Sequence, residues 1–135
     1  MELIQVAQRA EDLDRAVRFY ERLLGEPAVA RFEPPGLVFF QLQGVRLMLD
    51  DEAPSALLYL HVGDVRARVE ALRAEGVEVV GEPNVIFVHA DDTLGPAGTA
   101  EVQAFVRDSE GNMVGLVGFE TREPPRDPQD DEQPA

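Results

Sequence analysis

Two histidines, His61 and His89, are the only side chains in this sequence whose ordinary pKa lies near neutral pH. His61 falls in the alternating run Ala56–Val62, two residues beyond Tyr59 and therefore on the same strand face. As a general base it needs only a substrate proton within reach, and it is the catalytic candidate of the chain. His89 borders a long polar stretch, and Asp50 and Glu101 stand at the ends of other apolar runs. Two imidazoles and a carboxylate can hold a metal, but no close spacing motif joins these four. Cysteine is absent altogether, which removes thiolate zinc sites, iron–sulfur clusters, thiol nucleophiles and disulfides.

The elements that must position these groups follow from periodicity. Leu3–Arg9 alternates as a first strand, and Asp12 caps a helix whose stripe is Leu13, Ala16, Val17, Tyr20, Leu23 and Leu24, ended by Gly25. Ala28–Phe32, Leu37–Leu42 and Val45–Leu49 are strands, the last two joined at Gln43-Gly44. An acidic connector, Asp50 to Ser55, follows. The pattern then restarts: strand Ala56–Val62, a helix capped by Asp64 with stripe Val65, Val69 and Leu72 and ended by Gly76, then strands at Val77–Val80, Asn84–His89 and Glu101–Val106. Ala90 to Thr99 is a loop longer than a hairpin needs. The hairpin Phe105–Phe119 turns at Asp108-Ser109-Glu110-Gly111-Asn112, where acidic and small polar residues favour a turn. The order strand–helix–strand–strand–strand thus occurs twice, as modules 1–53 and 54–120 of one domain. Residues 121–135 are proline-rich and acidic, which predicts a disordered tail.

The chain has 135 residues, a formal net charge of −14 and arginine as its only strongly basic residue type. That balance argues against nucleic acid or an anionic membrane as partner, since phosphate contacts need a basic patch. No apolar run approaches the roughly 20 residues of a membrane span, so a cytoplasmic protein without membrane contact is expected.

The two helix runs DLDRAVRFYERLLG and DVRARVEALRAEGV, followed by DSEGN, resemble the vicinal oxygen chelate superfamily, which includes glyoxalases, bleomycin-resistance proteins and extradiol dioxygenases. The resemblance covers Leu3 to Phe119. It implies an α+β fold in which two βαβββ modules form an eight-stranded curved sheet around a cleft, with the helices outside. Metal-dependent members draw four ligands from cleft-facing strands, and the matching positions here are Gln5, Met48, Leu57 and Gly115. Only Gln5 offers a donor suited to a hard divalent ion; Met48 is a soft thioether, and Leu57 and Gly115 have no side-chain donor.

The resemblance therefore implies no catalytic metal and no cofactor. It points to a cleft lined by Gln5, Met48, Leu57, Tyr59, His61, Met113 and Gly115 that binds a small, partly apolar molecule, in a homodimer whose subunits share the site. Two other readings stand beside it. One is a metal-dependent or His-assisted lyase, isomerase or dioxygenase of the same superfamily, and the other is a shrunken cleft in which these residues are packing.

Overall fold

The computed structural model describes residues 3–122. Its eight strands fall into two four-stranded sheets, ordered β1-β4-β3-β2 and β5-β8-β7-β6. The first module holds β1 (Gln5–Arg9), α1 (Leu13–Leu24), β2 (Ala30–Phe32), β3 (Leu37–Leu42) and β4 (Val45–Asp50). The second repeats it with β5 (Leu58–His61), α2 (Val65–Ala74), β6 (Val79–Val88), β7 (Thr99–Arg107) and β8 (Met113–Thr121). In each, the strand before the helix pairs in parallel with the last strand, and the remaining pairs are antiparallel.

Both helices start where a carboxylate caps them. Asp12 accepts from the Arg15 N–H and Asp64 from the Ala67 N–H, each satisfying one otherwise orphaned donor. Gly25 ends α1 in the left-handed conformation at φ 72°. The β3–β4 hairpin closes on Gln43 and Gly44, both at positive φ, the geometry of a two-residue turn matched to strand twist.

One core lies between the helices and one face of each sheet. Ala16, Tyr20 and Leu23 of α1 meet Val38, Phe40, Leu47 and Leu49; Val65, Val69 and Leu72 of α2 meet Val102, Ala104, Val106, Val114 and Leu116. Strand alternation then sends every second residue to the opposite, open face. Ile4, read from the sequence as part of the first strand, lies before β1 and is half exposed, because the strand begins only at Gln5.

The modules are fastened by the β7–β8 turn. Asp108 is buried, and its carboxylate accepts from the Glu110 and Asn112 N–H groups, the Asn112 side-chain amide and the Tyr20 hydroxyl of α1 (2.7 Å). Asn112 also donates to the Arg9 carbonyl, and Glu110 forms a bidentate pair with Arg15 while accepting from the Asp12 N–H. From the other side, Arg68 of α2 donates to the Leu23 carbonyl at the end of α1.

Several boundaries differ from the sequence reading: β2 begins at Ala30 rather than Ala28, β5 covers Leu58–His61 rather than Ala56–Val62, and β7 begins at Thr99, inside the stretch read as loop. The stretches read as separate strands, Val77–Val80 and Asn84–His89, merge into one strand, β6, which covers only Val79–Val88 and whose register against β7 shifts around Gly81 and Asn84. β6 is the sheet edge, so the N–H that Pro83 lacks removes no necessary ladder bond, and bulges absorb the misfit. β8 runs through Thr121, the first residue assigned to the tail. Residues 123–135 of that tail lie outside the described residues. Among the described residues no helix is long and apolar enough to cross a membrane.

Candidate functional site

On the open face of the first sheet the register sets residues in transverse rows. Gln5, Arg46 and Gln41 form one row across β1, β4 and β3. Ala7, Met48 and Phe39 form the next, extended by Ala30 of β2. The Gln5 amide is held at both ends: Nε2 donates to the Met48 sulfur at 3.6 Å, and Oε1 accepts from Arg46 Nε at 3.1 Å. The Arg46 guanidinium carbon lies 5.9 Å from the Phe39 ring centre, within range of a cation–π contact.

The second sheet presents an aromatic face. Tyr59, Gly115 and Phe105 are neighbours across β5, β8 and β7, and the Tyr59 and Phe105 rings meet edge to face at 5.9 Å over the glycine. A Cβ at position 115 would lie 2.8 Å from Tyr59 Cδ1, closer than real Cβ contacts come, and 3.1 Å from Phe105 Cε1, a tight contact. The rings thus occupy the space a side chain at 115 would need. In the next row His61, Val117 and Gln103 align, followed by Phe119, Glu101 and Phe87.

His61 is exposed on this face, which agrees with the predicted parity. Its ring packs 5.6 Å from that of Phe119, and it has no hydrogen-bond partner among the described residues. His89 differs from a solvated strand-end residue: it is 2 % exposed, lies beyond the end of β6 and pinches the base of the 90–98 loop through bonds to Thr99 and Gly98. Its Nε2 lies 3.0 Å from Glu101 Oε1 and its ring packs on Phe87 and Phe119, while Gln103 donates to the other Glu101 oxygen. Gly95 is what lets the loop approach, since a Cβ there would lie 2.8 Å from His89 Cε1.

Leu57, Tyr59 and His61 share a groove of about 660 Å³ where β5 runs past the β3–β4 turn, with Val6, Leu24 and Gln41 on its other wall. Gln5 and Met48 touch one another on the first sheet, Gly115 lies beneath Tyr59 and Phe105, and Met113 is exposed at the start of β8. The predicted residues therefore fall into a first-sheet pair, a second-sheet group and a groove between them. The four positions matched to metal ligands do not fit a metal: two lack donors, and the carbonyl of the one hard donor already faces a guanidinium. Among the described residues no cluster of three or more His, Cys, Asp or Glu side chains is arranged to hold a metal ion. The Gln5–Arg46–Gln41 row escaped sequence reasoning, because Arg46 becomes a neighbour of Gln5 only through the parallel pairing of β1 with β4.

Comparison with known proteins agrees with this architecture. The family described as Glyoxalase/Bleomycin resistance protein/Dioxygenase superfamily matches residues 2–116. TnmS3, an antibiotic-binding protein from Streptomyces sp. CB03234, superposes with a TM-score of 0.69 at 22% identity, covering 89% of this chain and 97% of its own. Lactoylglutathione lyase from Agrobacterium tumefaciens gives 0.64 at 22% identity, covering 87% and 92%. No curated protein sequence matches the chain.

Proposed function

Because the chain belongs to the glyoxalase/bleomycin resistance protein/dioxygenase superfamily, we propose that it binds a small, partly apolar molecule on these open faces without a catalytic metal. The observation that carries the reading is Gly115. At the position where the superfamily's metal enzymes usually place a glutamate, this chain has no side chain, and two aromatic rings fill the space above it. Gln5 adds a second obstacle. A divalent ion bound at its carbonyl would stand near the Arg46 guanidinium, and at about 4 Å the two would repel by about 8 kcal/mol at an effective dielectric of 20.

What remains is an aromatic and methionine-bearing surface with a few fixed polar groups, the usual makeup of a small-molecule site. TnmS3, described as an antibiotic-binding protein, has the same fold, which makes sequestration a coherent role. Leu57, Tyr59 and Phe87 are half exposed on a single chain. A second copy covering them would make the site a cleft shared between subunits of a homodimer. The His-assisted alternative would rest on His61, whose ring has an aromatic contact but no hydrogen-bond partner among the described residues.

The test has two arms on protein purified without a metal-binding tag. Elemental analysis after dialysis should find far less than one equivalent of zinc, nickel, manganese or iron, and N-phenyl-1-naphthylamine should bind with enhanced fluorescence. One equivalent of retained metal, or no binding of the neutral aromatic probe, would overturn the reading.

A further inference from the structure

The row Gln5–Arg46–Gln41 has a composition that packing does not require. Three long polar side chains stand side by side across adjacent strands, directly beside the apolar row Ala7–Met48–Phe39. In a chain with 26 acidic residues, six arginines of the described structure pair with carboxylates; Arg46, like Arg9, Arg18 and Arg68, has no carboxylate partner among the described residues. Its Nε is instead held by the neutral Gln5 carbonyl, and its two Nη groups make no hydrogen bond among the described residues. A guanidinium anchored this way presents a planar fork of donors that is unpaired among the described residues, the geometry that suits a carboxylate or sulfonate.

Gln5 links the two rows, its Nε2 donating to the Met48 sulfur while its Oε1 accepts from Arg46 Nε. Phe39 lies against the guanidinium from the neighbouring strand. Adjacent rows on one face are two residues apart, about 7 Å, and three strands span about 10 Å. Those are the dimensions of a fused aromatic ring system with an acidic substituent at its edge.

We infer that Gln5, Arg46 and Gln41 form an oxyanion subsite, and that the ligand is an aromatic acid whose planar body lies on Ala7, Met48 and Phe39. This rests on the small-molecule reading above and narrows it to a ligand class. The chain's formal charge of −14 offers no general attraction for an anion, so any preference for one must arise locally.

Two dyes sharing one skeleton separate the claims: 8-anilinonaphthalene-1-sulfonate carries a sulfonate and N-phenyl-1-naphthylamine does not. Fluorescence titrations should show the wild type binding the sulfonate about 10-fold more tightly than the neutral dye, the scale of a hydrogen bond to a charged group. Arg46→Gln should abolish that preference and leave neutral-dye affinity within about two-fold, while Arg46→Lys should restore only part of it, lacking the fork. Arg18→Gln, an exposed arginine on α1, serves as control and should change neither. Thermal midpoints of all variants check that the fold is retained. Equal binding of both dyes by the wild type, or equal loss of both in Arg46→Gln, overturns the subsite while leaving the small-molecule site standing. If Arg46→Gln instead alters the oligomeric mass with both affinities unchanged, the row is a contact between copies and the subsite is again overturned. Failure of both dyes to bind would overturn the small-molecule reading with it.

Discussion

Replacing Tyr20 by phenylalanine removes one oxygen from a buried polar contact between the two modules. That hydroxyl donates to Asp108 at 2.7 Å and accepts from Gln8 Nε2 at 3.2 Å, and both Tyr20 and Gln8 are fully buried. A hydrogen bond to a carboxylate contributes about 1.5–3 kcal/mol, and stranding a buried amide costs about 1–3 kcal/mol. Gln8 is already short of a partner at Oε1, so little rearrangement can rescue it. A net loss of about 3 kcal/mol is expected near neutral pH, or a fall of about 12 °C in Tm at roughly 4 °C per kcal/mol for a domain of this size. The loss should itself depend on pH. Burial, then the charge of Asp108 and the bond to it, push the Tyr20 phenol well above its ordinary pKa of 10. The folded chain therefore keeps a proton that the unfolded chain sheds above about pH 10, and wild-type stability must decline there by up to about 1.4 kcal/mol per pH unit on this account. Tyr20→Phe lacks that group, so the two proteins should converge as pH rises. Urea titrations of both at pH 7, 9, 10 and 11 read this directly. A variant as stable as wild type at pH 7, or a penalty that stays constant to pH 11, would refute the buried bond.

Three further outcomes follow from the same geometry. Gly115→Ala should destabilise by about 1 kcal/mol, the crowding cost offset in part by reduced freedom of the unfolded chain, and Tyr59→Ala should relieve it in a double-mutant cycle; an additive pair would show the rings are not what confines position 115. Burial tends to raise the Glu110 pKa, but hydrogen bonds from Arg15, the Asp12 N–H and Ser109 outweigh it and hold the carboxyl below its usual range. Its contribution, about 1 kcal/mol beside a half-exposed Arg15, is present above about pH 4.5 and lost as pH falls, so wild type and Glu110→Gln should differ at pH 6 and match near pH 3 by chemical denaturation. Light scattering at micromolar concentration should give twice the monomer mass, and a monomeric value would count against the shared cleft.

Local sequence carried the elements well where local physics decides them. Asp12, Asp64 and Gly25 announce helix ends because capping is made within one turn, and Leu37–Leu42 matches β3 residue for residue. Long-range partners are another matter. Tyr20 fits the apolar stripe of α1, yet its hydroxyl answers a carboxylate 88 residues away, and nothing near it in sequence says so. Gln8 shows the converse, a polar residue at a core-facing strand position whose partner comes from a helix. Pro83 reads as a break until sheet order puts β6 at the edge. His89 reads as a strand-end residue until Gly95 brings the loop down on it.

The turn at Asp108–Asn112 also bears on the order in which the chain acquires its structure. Pairings within each module close comparatively short stretches of chain, so the entropy of bringing their ends together is modest. The contacts Tyr20–Asp108, Arg9–Asn112 and Asp12–Glu110 instead span 88 to 103 residues. A first module emerging alone from synthesis would hold Tyr20 and Gln8 in its interior with their main acceptor not yet made. Such a module should gain its full stability only once the last hairpin is in place, so the two halves of the repeat are expected to fold as one unit. A truncated chain ending before Asp108 would expose the same unmet polar groups at the place where its helix should pack.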